Sequence, residues 1–192
     1  MFEPLKKRIA EEGVCLGGGI LKVDPFINHQ VDPELMEACG RELASLFEST
    51  HPTKVLTAEI SGIAPALMTA KYLGVPVVYA RKHKPITMPD TVYLTVAPSH
   101  TKGHMVELIV SPEYLGKGER VLIIDDFLAS GATIAGLVRL TQTAGAEIVG
   151  IGTLIEKTFE DGRELLSVLG VPIEALVRIA SLDDGKIVFG EG

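Results

Sequence analysis

The chain alternates short apolar, β-branched runs with stretches whose apolar positions recur at helical spacing. Leu5 and Ile9, four apart, predict a short helix over residues 3–12. Gly17-Gly18-Gly19 breaks the chain, and Ile20 to Val23 reads as a short extended piece. Asp32-Pro33 is a helix start, a capping side chain followed by proline in the first turn. That helix is expected to run to about Glu48, with Leu35, Met36, Cys39, Leu43, Leu46 and Phe47 inward. A strand over 55–58, a helix over 63–72 closed by Gly74, and a strand over 75–80 follow. Residues 91–96 and 105–110 alternate like two antiparallel strands. An apolar run over 121–124 leads into a helix ending near Ala144. A strand over 148–155, a helix over 161–169 and late strands over 177–180 and 187–189 complete the order. Such alternation implies an α/β fold, a mostly parallel sheet flanked by helices on both faces. With no internal repeat, low-complexity segment or linker, residues 1–192 are expected to form a single domain.

Composition narrows the function classes. Apolar residues make up 46% of the 192, enough for one well-cored α/β domain and short for two. The net charge of −7 argues against nucleic acid as a partner. No apolar stretch approaches the roughly 20 residues that span a bilayer, so no membrane association is expected. The charged N-terminus lacks the apolar core of a secretory signal. Cys15 and Cys39 do not make a disulfide framework and are expected as reduced thiols in a cytoplasmic protein.

The chemistry concentrates in Arg120–Thr133, RVLIIDDFLASGAT. An apolar run stops at two adjacent carboxylates, Asp125 and Asp126, expected at the carboxyl end of a strand, where open α/β sheets bind ligands. Five small residues follow, Ala129-Ser130-Gly131-Ala132-Thr133, and then a helix. Small residues let backbone N–H groups approach a phosphate, and a helix N-terminus favours an anion. The carboxylates can accept hydrogen bonds from ribose hydroxyls. Strand, acidic pair, small-residue loop and helix in that order build a sugar-phosphate site. In the bland alternative, Ser130 or Thr133 simply caps the helix.

Two further segments carry a double reading. Glu59-Ile60-Ser61-Gly62-Ile63-Ala64 follows a strand and opens a helix, so it is either a second anion cradle or a tight turn that needs Ser61 and Gly62. Arg81-Lys82-His83-Lys84 is either a solvated charge run or a partner for pyrophosphate. His100 and His104 lack the Glu of a His-Glu-x-x-His zinc helix, so no metal site is expected there. Neither a Gly-x-Gly-x-x-Gly after a strand nor a complete phosphate-loop motif around Gly116-Lys117-Gly118 is present.

The Arg120–Thr133 stretch resembles the 5-phosphoribosyl 1-pyrophosphate (PRPP) signature of type I phosphoribosyltransferases: four apolar residues, two acidic ones, a short variable step and a Ser/Thr/Gly-rich turn. The resemblance implies that family's α/β fold with a small hood, formed by about residues 1–35 plus the C-terminal segment, and a flexible lid over about 85–104. It implies Asp125 and Asp126 as catalytic residues on the ribose and Ala129 to Thr133 on the 5′-phosphate. It puts Ser61 and Gly62 on pyrophosphate, and Arg81 and Lys82 reaching the PRPP site of a neighbouring subunit in a homodimer. Mg²⁺ would come with PRPP, held by substrate oxygens and water rather than by a protein cage.

Two more segments address the acceptor base. An oxopurine needs an apolar sandwich and directed donors to its carbonyl oxygens. Asn28, in Leu21–Gln30, offers a donor and an acceptor on one amide, and Lys157, at the end of Ile155-Glu156-Lys157, offers a cation. A lysine beside a purine oxygen favours oxopurines over adenine. Nearly end to end, the chain is similar to the bacterial xanthine-using branch of the family. That similarity implies Leu21, Asn28 and Lys157 as xanthine contacts, and transfer of phosphoribose from PRPP to xanthine as the reaction. The rival is a PRPP-sensing regulator that binds DNA or RNA, disfavoured by the acidic charge and the lack of a winged-helix segment before the fold.

Overall fold

A computed structural model describes residues 1–98 and 105–190. The helix α1 (Glu3–Glu12) is followed by a hairpin, β1 (Val14–Gly17) and β2 (Ile20–Lys22). Its turn uses Gly17, Gly18 and Gly19, all at positive φ (85°, 58° and 73°), which glycine adopts without steric cost. The three glycines therefore fold the chain back where a break was expected. After a single π-type turn over Asp24–Asn28 comes α2 (Pro33–Phe47), capped as its sequence predicts: the Asp32 carboxylate accepts from Leu35 N at 3.0 Å.

The strands β3 (Lys54–Ala58), β4 (Val77–Ala80), β7 (Arg120–Leu128), β8 (Glu147–Lys157), β9 (Ile173–Ser181) and β10 (Val188–Phe189) form one sheet. Its order is β10-β9-β8-β7-β3-β4, parallel except for β10. The helices α1, α2 and α3 (Ile63–Leu73) cover one face around Phe26, Leu43, Phe47 and Leu122. The helices α4 (Ala132–Thr143) and α5 (Gly162–Ser167) cover the other around Ile123, Ile134, Leu137 and Leu166. The hairpin of β5 (Tyr93–Pro98) and β6 (Met105–Val110) pairs antiparallel as expected and packs beside α4, where Arg139 bonds to Thr95 Oγ1 (3.0 Å) and Val96 O (2.7 Å). Of the lid expected over about 85–104, residues 85–98 are described, and His100 and His104 lie outside the described residues.

Three strands run longer than their apolar stretches, because hydrogen-bond ladders continue into polar positions. In β7, pairing with β3 stops at Ile123, but pairing with β8 goes on through Asp125↔Thr153 to Leu128↔Glu156. Asp125 and Asp126 therefore lie within the strand, past the point where one neighbour has dropped away, and not at its end. The strands β8 and β9 gain residues in the same way, and α5 is shorter than expected. Cys15 and Cys39 are unpaired, and burial pushes the Cys39 thiol up to about 12. Among the described residues no helix is long and apolar enough to cross a membrane.

Candidate active site

The small-residue loop sits between β7 and α4. Gly131 occupies the N-cap of α4 with φ 76°, a left-handed conformation that suits glycine. The cap position falls to a glycine and not to Ser130 or Thr133, and no side-chain cap hydrogen bond is made there. The first-turn N–H groups, which have no partner within the helix, are thus left for an anion.

Beside this loop lies a groove of about 270 Å³. Asp125, Asp126 and all of Ala129 to Thr133 line it from β7 and α4. Ser61 enters from the β3–α3 turn, Leu21 from β2, Asn28 from the π-type turn, and Lys157 from the end of β8. The fold thus gathers these expected residues from five separate segments of the chain. Ile20, Pro98, Phe127 and Ile134 also line the groove, and none of them was singled out from the sequence. Ile20 adjoins Leu21 in a strand too short for alternation to be read. Phe127 is the one aromatic of the signature, and the Lys157 ammonium stands 5.7 Å from its ring centroid.

A second hollow of about 190 Å³ shares Ser61, Pro98, Asp125, Asp126 and Thr133 with the first and adds Glu59 and Lys82. Gly62 is required at this corner: a Cβ there would collide with Thr57 Oγ1 and stand 2.6 Å from Asp125 Oδ1. Lys82 lines this second hollow of its own chain. Arg81 does not: its guanidinium pairs with Glu59 (3.0 Å), its backbone bridges to Ile109, and it lines a separate pocket beside Tyr79. Glu59 also accepts from Lys82 N at 2.6 Å, which fixes the start of the basic run.

Both carboxylates are nearly buried, Asp125 at 6% and Asp126 at 8% exposure. Burial pushes the Asp125 carboxyl well above the usual carboxylate range; the adjacent Asp126 charge adds to the rise, and Lys82 opposes it. Asp126 N donates to Asp125 Oδ1 at 3.0 Å. Lys157, 6% exposed, keeps a Glu160 carboxylate at 3.5 Å. No group of three or more His, Cys, Asp or Glu side chains forms a metal cage among the described residues. Amide donors at one end, carboxylate acceptors in the middle and an amide with a lysine at the other suit a phosphorylated sugar joined to a planar base.

Comparison with known proteins gives the same picture. Residues 30–184 match the family described as phosphoribosyl transferase domain. A xanthine phosphoribosyltransferase of Geobacillus thermodenitrificans is 53% identical over 187 residues, 97% of this chain and 96% of the relative. One of Latilactobacillus sakei is 49% identical over 185 residues, 96% and 95% of the two chains. Among solved structures, adenine phosphoribosyltransferase of Rhodothermus marinus superposes with a TM-score of 0.72 at 26% identity, covering 92% of this chain and 99% of that one.

Proposed function

The chain belongs to the phosphoribosyl transferase domain family, and we propose that it transfers the 5-phosphoribosyl group of PRPP to N9 of xanthine, giving xanthosine 5′-monophosphate and pyrophosphate in purine salvage. The observation that carries this reading is the single groove in which the acidic pair, the uncapped helix N-terminus, Asn28 and Lys157 meet. The relatives about 50% identical over nearly the whole chain, each a xanthine phosphoribosyltransferase, support the choice of base.

In this reading the backbone of Ala129 to Thr133 holds the 5′-phosphate of PRPP, and Ser61, Gly62 and Lys82 receive its pyrophosphate. Asp126 and Asp125 accept hydrogen bonds from the ribose hydroxyls. As the bond from C1′ to pyrophosphate lengthens, positive charge builds on the ribose ring. Two fixed carboxylate groups beneath it favour that charge more than they favour the neutral ground state. Leu21 packs on the purine, the Asn28 amide and the Lys157 ammonium donate to its oxygens, and the base is held for attack through N9. Arg81, turned away from its own groove, is left for the site of a neighbouring subunit. A homodimer is part of the same reading, supported by the exposed Tyr79 on the edge strand β4 and the fully exposed Ile86 after it. A cytoplasmic location, a hood formed by about residues 1–35 with the C-terminal segment, and a lid over about 85–104 complete it.

The donor set fits Mg²⁺ bound with PRPP. Asp125 and Asp126 are hard-oxygen donors on the wall shared by both hollows, and Mg²⁺ favours one or two carboxylates plus substrate phosphates over an all-protein cage. When bound, it supplies charge neutralisation to the departing pyrophosphate.

The test is a purine panel with PRPP and Mg²⁺, reading pyrophosphate release with xanthine, guanine, hypoxanthine and adenine in turn. Xanthine is expected to dominate. Another purine in the lead would discard the roles given to Asn28 and Lys157. No release with any purine, with PRPP still bound, would replace the enzyme by a PRPP sensor.

A further inference from the structure

The turn from Lys157 to Gly162 touches both ends of the groove. At one end is Lys157. At the other, Gly162 donates its backbone N–H to the carbonyl of Ala129 at 3.0 Å, the first residue of the small-residue loop. The two backbones are in direct contact. A Cβ on Gly162 would collide with Ala129 O and stand 2.8 Å from Gly131 N; one on Gly131 would stand 3.0 Å from Gly162 Cα. Since no side chain caps α4, the loop's amides take their support from this turn behind them.

The turn is itself clamped. Arg163 Nε and Nη2 donate to the two carboxylate oxygens of Glu156 at 2.6 and 2.7 Å, and Nη1 donates to Ile173 O at 2.9 Å. Glu156 is only 2% exposed and also takes Arg178 Nε at 3.3 Å. A forked guanidinium–carboxylate pair restricts direction as well as distance. Neither Glu156 nor Arg163 lines the groove.

We propose that Arg163 and Glu156 are positioning residues for the 5′-phosphate, acting through the Gly162 N–H on the carbonyl of Ala129. The proposal rests on the reading of residues 129–133 as the phosphate cradle and extends it to a pair of side chains outside the site. A cradle made of backbone amides has no long side chains to compensate for a shift, so misplacement of about 1 Å is felt strongly. The second anion cradle, at Ser61 and Gly62, stands on β3 and α3 and does not share this support. Loosening the clamp therefore affects one phosphate end of PRPP and spares the other.

The experiment measures equilibrium binding of ribose 5-phosphate and, separately, of inorganic pyrophosphate. It compares wild type with Arg163→Met and with Arg163→Lys, which keeps the cation but loses the fork. Arg163→Met is expected to weaken ribose 5-phosphate roughly tenfold while pyrophosphate affinity stays the same. KM for PRPP rises with it, more than kcat falls, and Arg163→Lys falls between the two proteins. Equal losses for both ligands, or an unchanged affinity for ribose 5-phosphate, would overturn the clamp. Wild-type protein that ignores ribose 5-phosphate would overturn the cradle reading and the clamp with it. Should Arg163→Met fail to fold, Arg163→Lys and Glu156→Gln decide by the same two affinities.

Discussion

Asp125 occupies a place where a carboxylate is costly, nearly buried beside a second carboxylate, with the Asp126 N–H and the Lys82 charge only partly opposing the rise of its pKa. A group kept at such cost by a fold is a candidate for function rather than stability. Replacing it with the isosteric amide separates the two: Asp125→Asn is expected to lower turnover while raising neutral-pH stability by about 1 kcal/mol, roughly 2–4 °C in Tm for a chain of this size. Thermal melts and initial rates on the same preparation check both. Asp126→Asn is expected to leave the fold intact and reduce kcat about 100-fold, a typical loss for a group aimed at transition-state charge. A folded Asp126→Asn protein with wild-type turnover would sink its role on the ribose. At the other end of the groove, Lys157→Met keeps an unbranched apolar side chain and removes the charge. KM for xanthine is expected to rise at least tenfold with KM for PRPP little changed, read by varying each substrate in turn. The acidic pair was legible in the sequence because its two carboxylates interrupt an apolar run. Ile20 and Pro98 were not, because nothing local distinguishes a groove-lining apolar residue from a core one.

Elements were legible where one periodicity and one terminator agree. For α2, the Asp32-Pro33 start and the spacing of Leu35, Met36, Cys39 and Leu43 placed the helix to within a residue or two, although Leu46, expected inward, is exposed. Asp32 also binds Arg8 Nη1 at 2.8 Å, tying α1 to the start of α2. Asp32→Ala is expected to cost about 1 kcal/mol or slightly more, read as a lower urea midpoint at unchanged slope. The sequence was least legible where an element depends on its neighbours. The end of β7 is set by β8, which continues pairing past Asp125, and no apolar pattern within residues 120–128 carries that information. The β1–β2 hairpin was hidden in the same way, its three glycines reading as a break until paired strands surround them. The loop before α4 shows how element geometry becomes chemistry. Gly131→Ala introduces a Cβ at φ 76° and against Gly162. It is expected to raise KM for PRPP at least tenfold, a loss checked by steady-state kinetics at saturating xanthine. Unchanged KM would show that the loop's amides do not bind the phosphate.

At the scale of the whole molecule, the family signature and the fold class were readable from the chain. The meeting of Asn28 with Lys157 was not readable from spacing, because it depends on the N-terminal hairpin and turn arriving beside the end of β8; only the resemblance pointed to it. The same assembly sets how stability responds to acid, through groups pushed in opposite directions. Asp32 and Glu119 titrate below their usual range, Asp32 chiefly through the Leu35 N–H and Glu119 chiefly through the Lys54 ammonium. Their folded forms bind protons less readily than the unfolded chain, so their stabilisation is complete above about pH 4–5 and lost as pH falls through the folded values. Asp125 has the opposite sign. Its folded form holds a proton more tightly, so its contribution to stability grows as pH falls through the raised folded value toward the unfolded value near 4. The wild-type urea midpoint is therefore expected to pass through a maximum on the acid side of neutrality, rising first as Asp125 takes its proton and falling once Asp32 and Glu119 take theirs. Asp125→Asn removes the rising limb and keeps the acid fall. A midpoint measured across pH 3.5–8 for both proteins checks this, and a rising limb that survives in Asp125→Asn would assign it to another group.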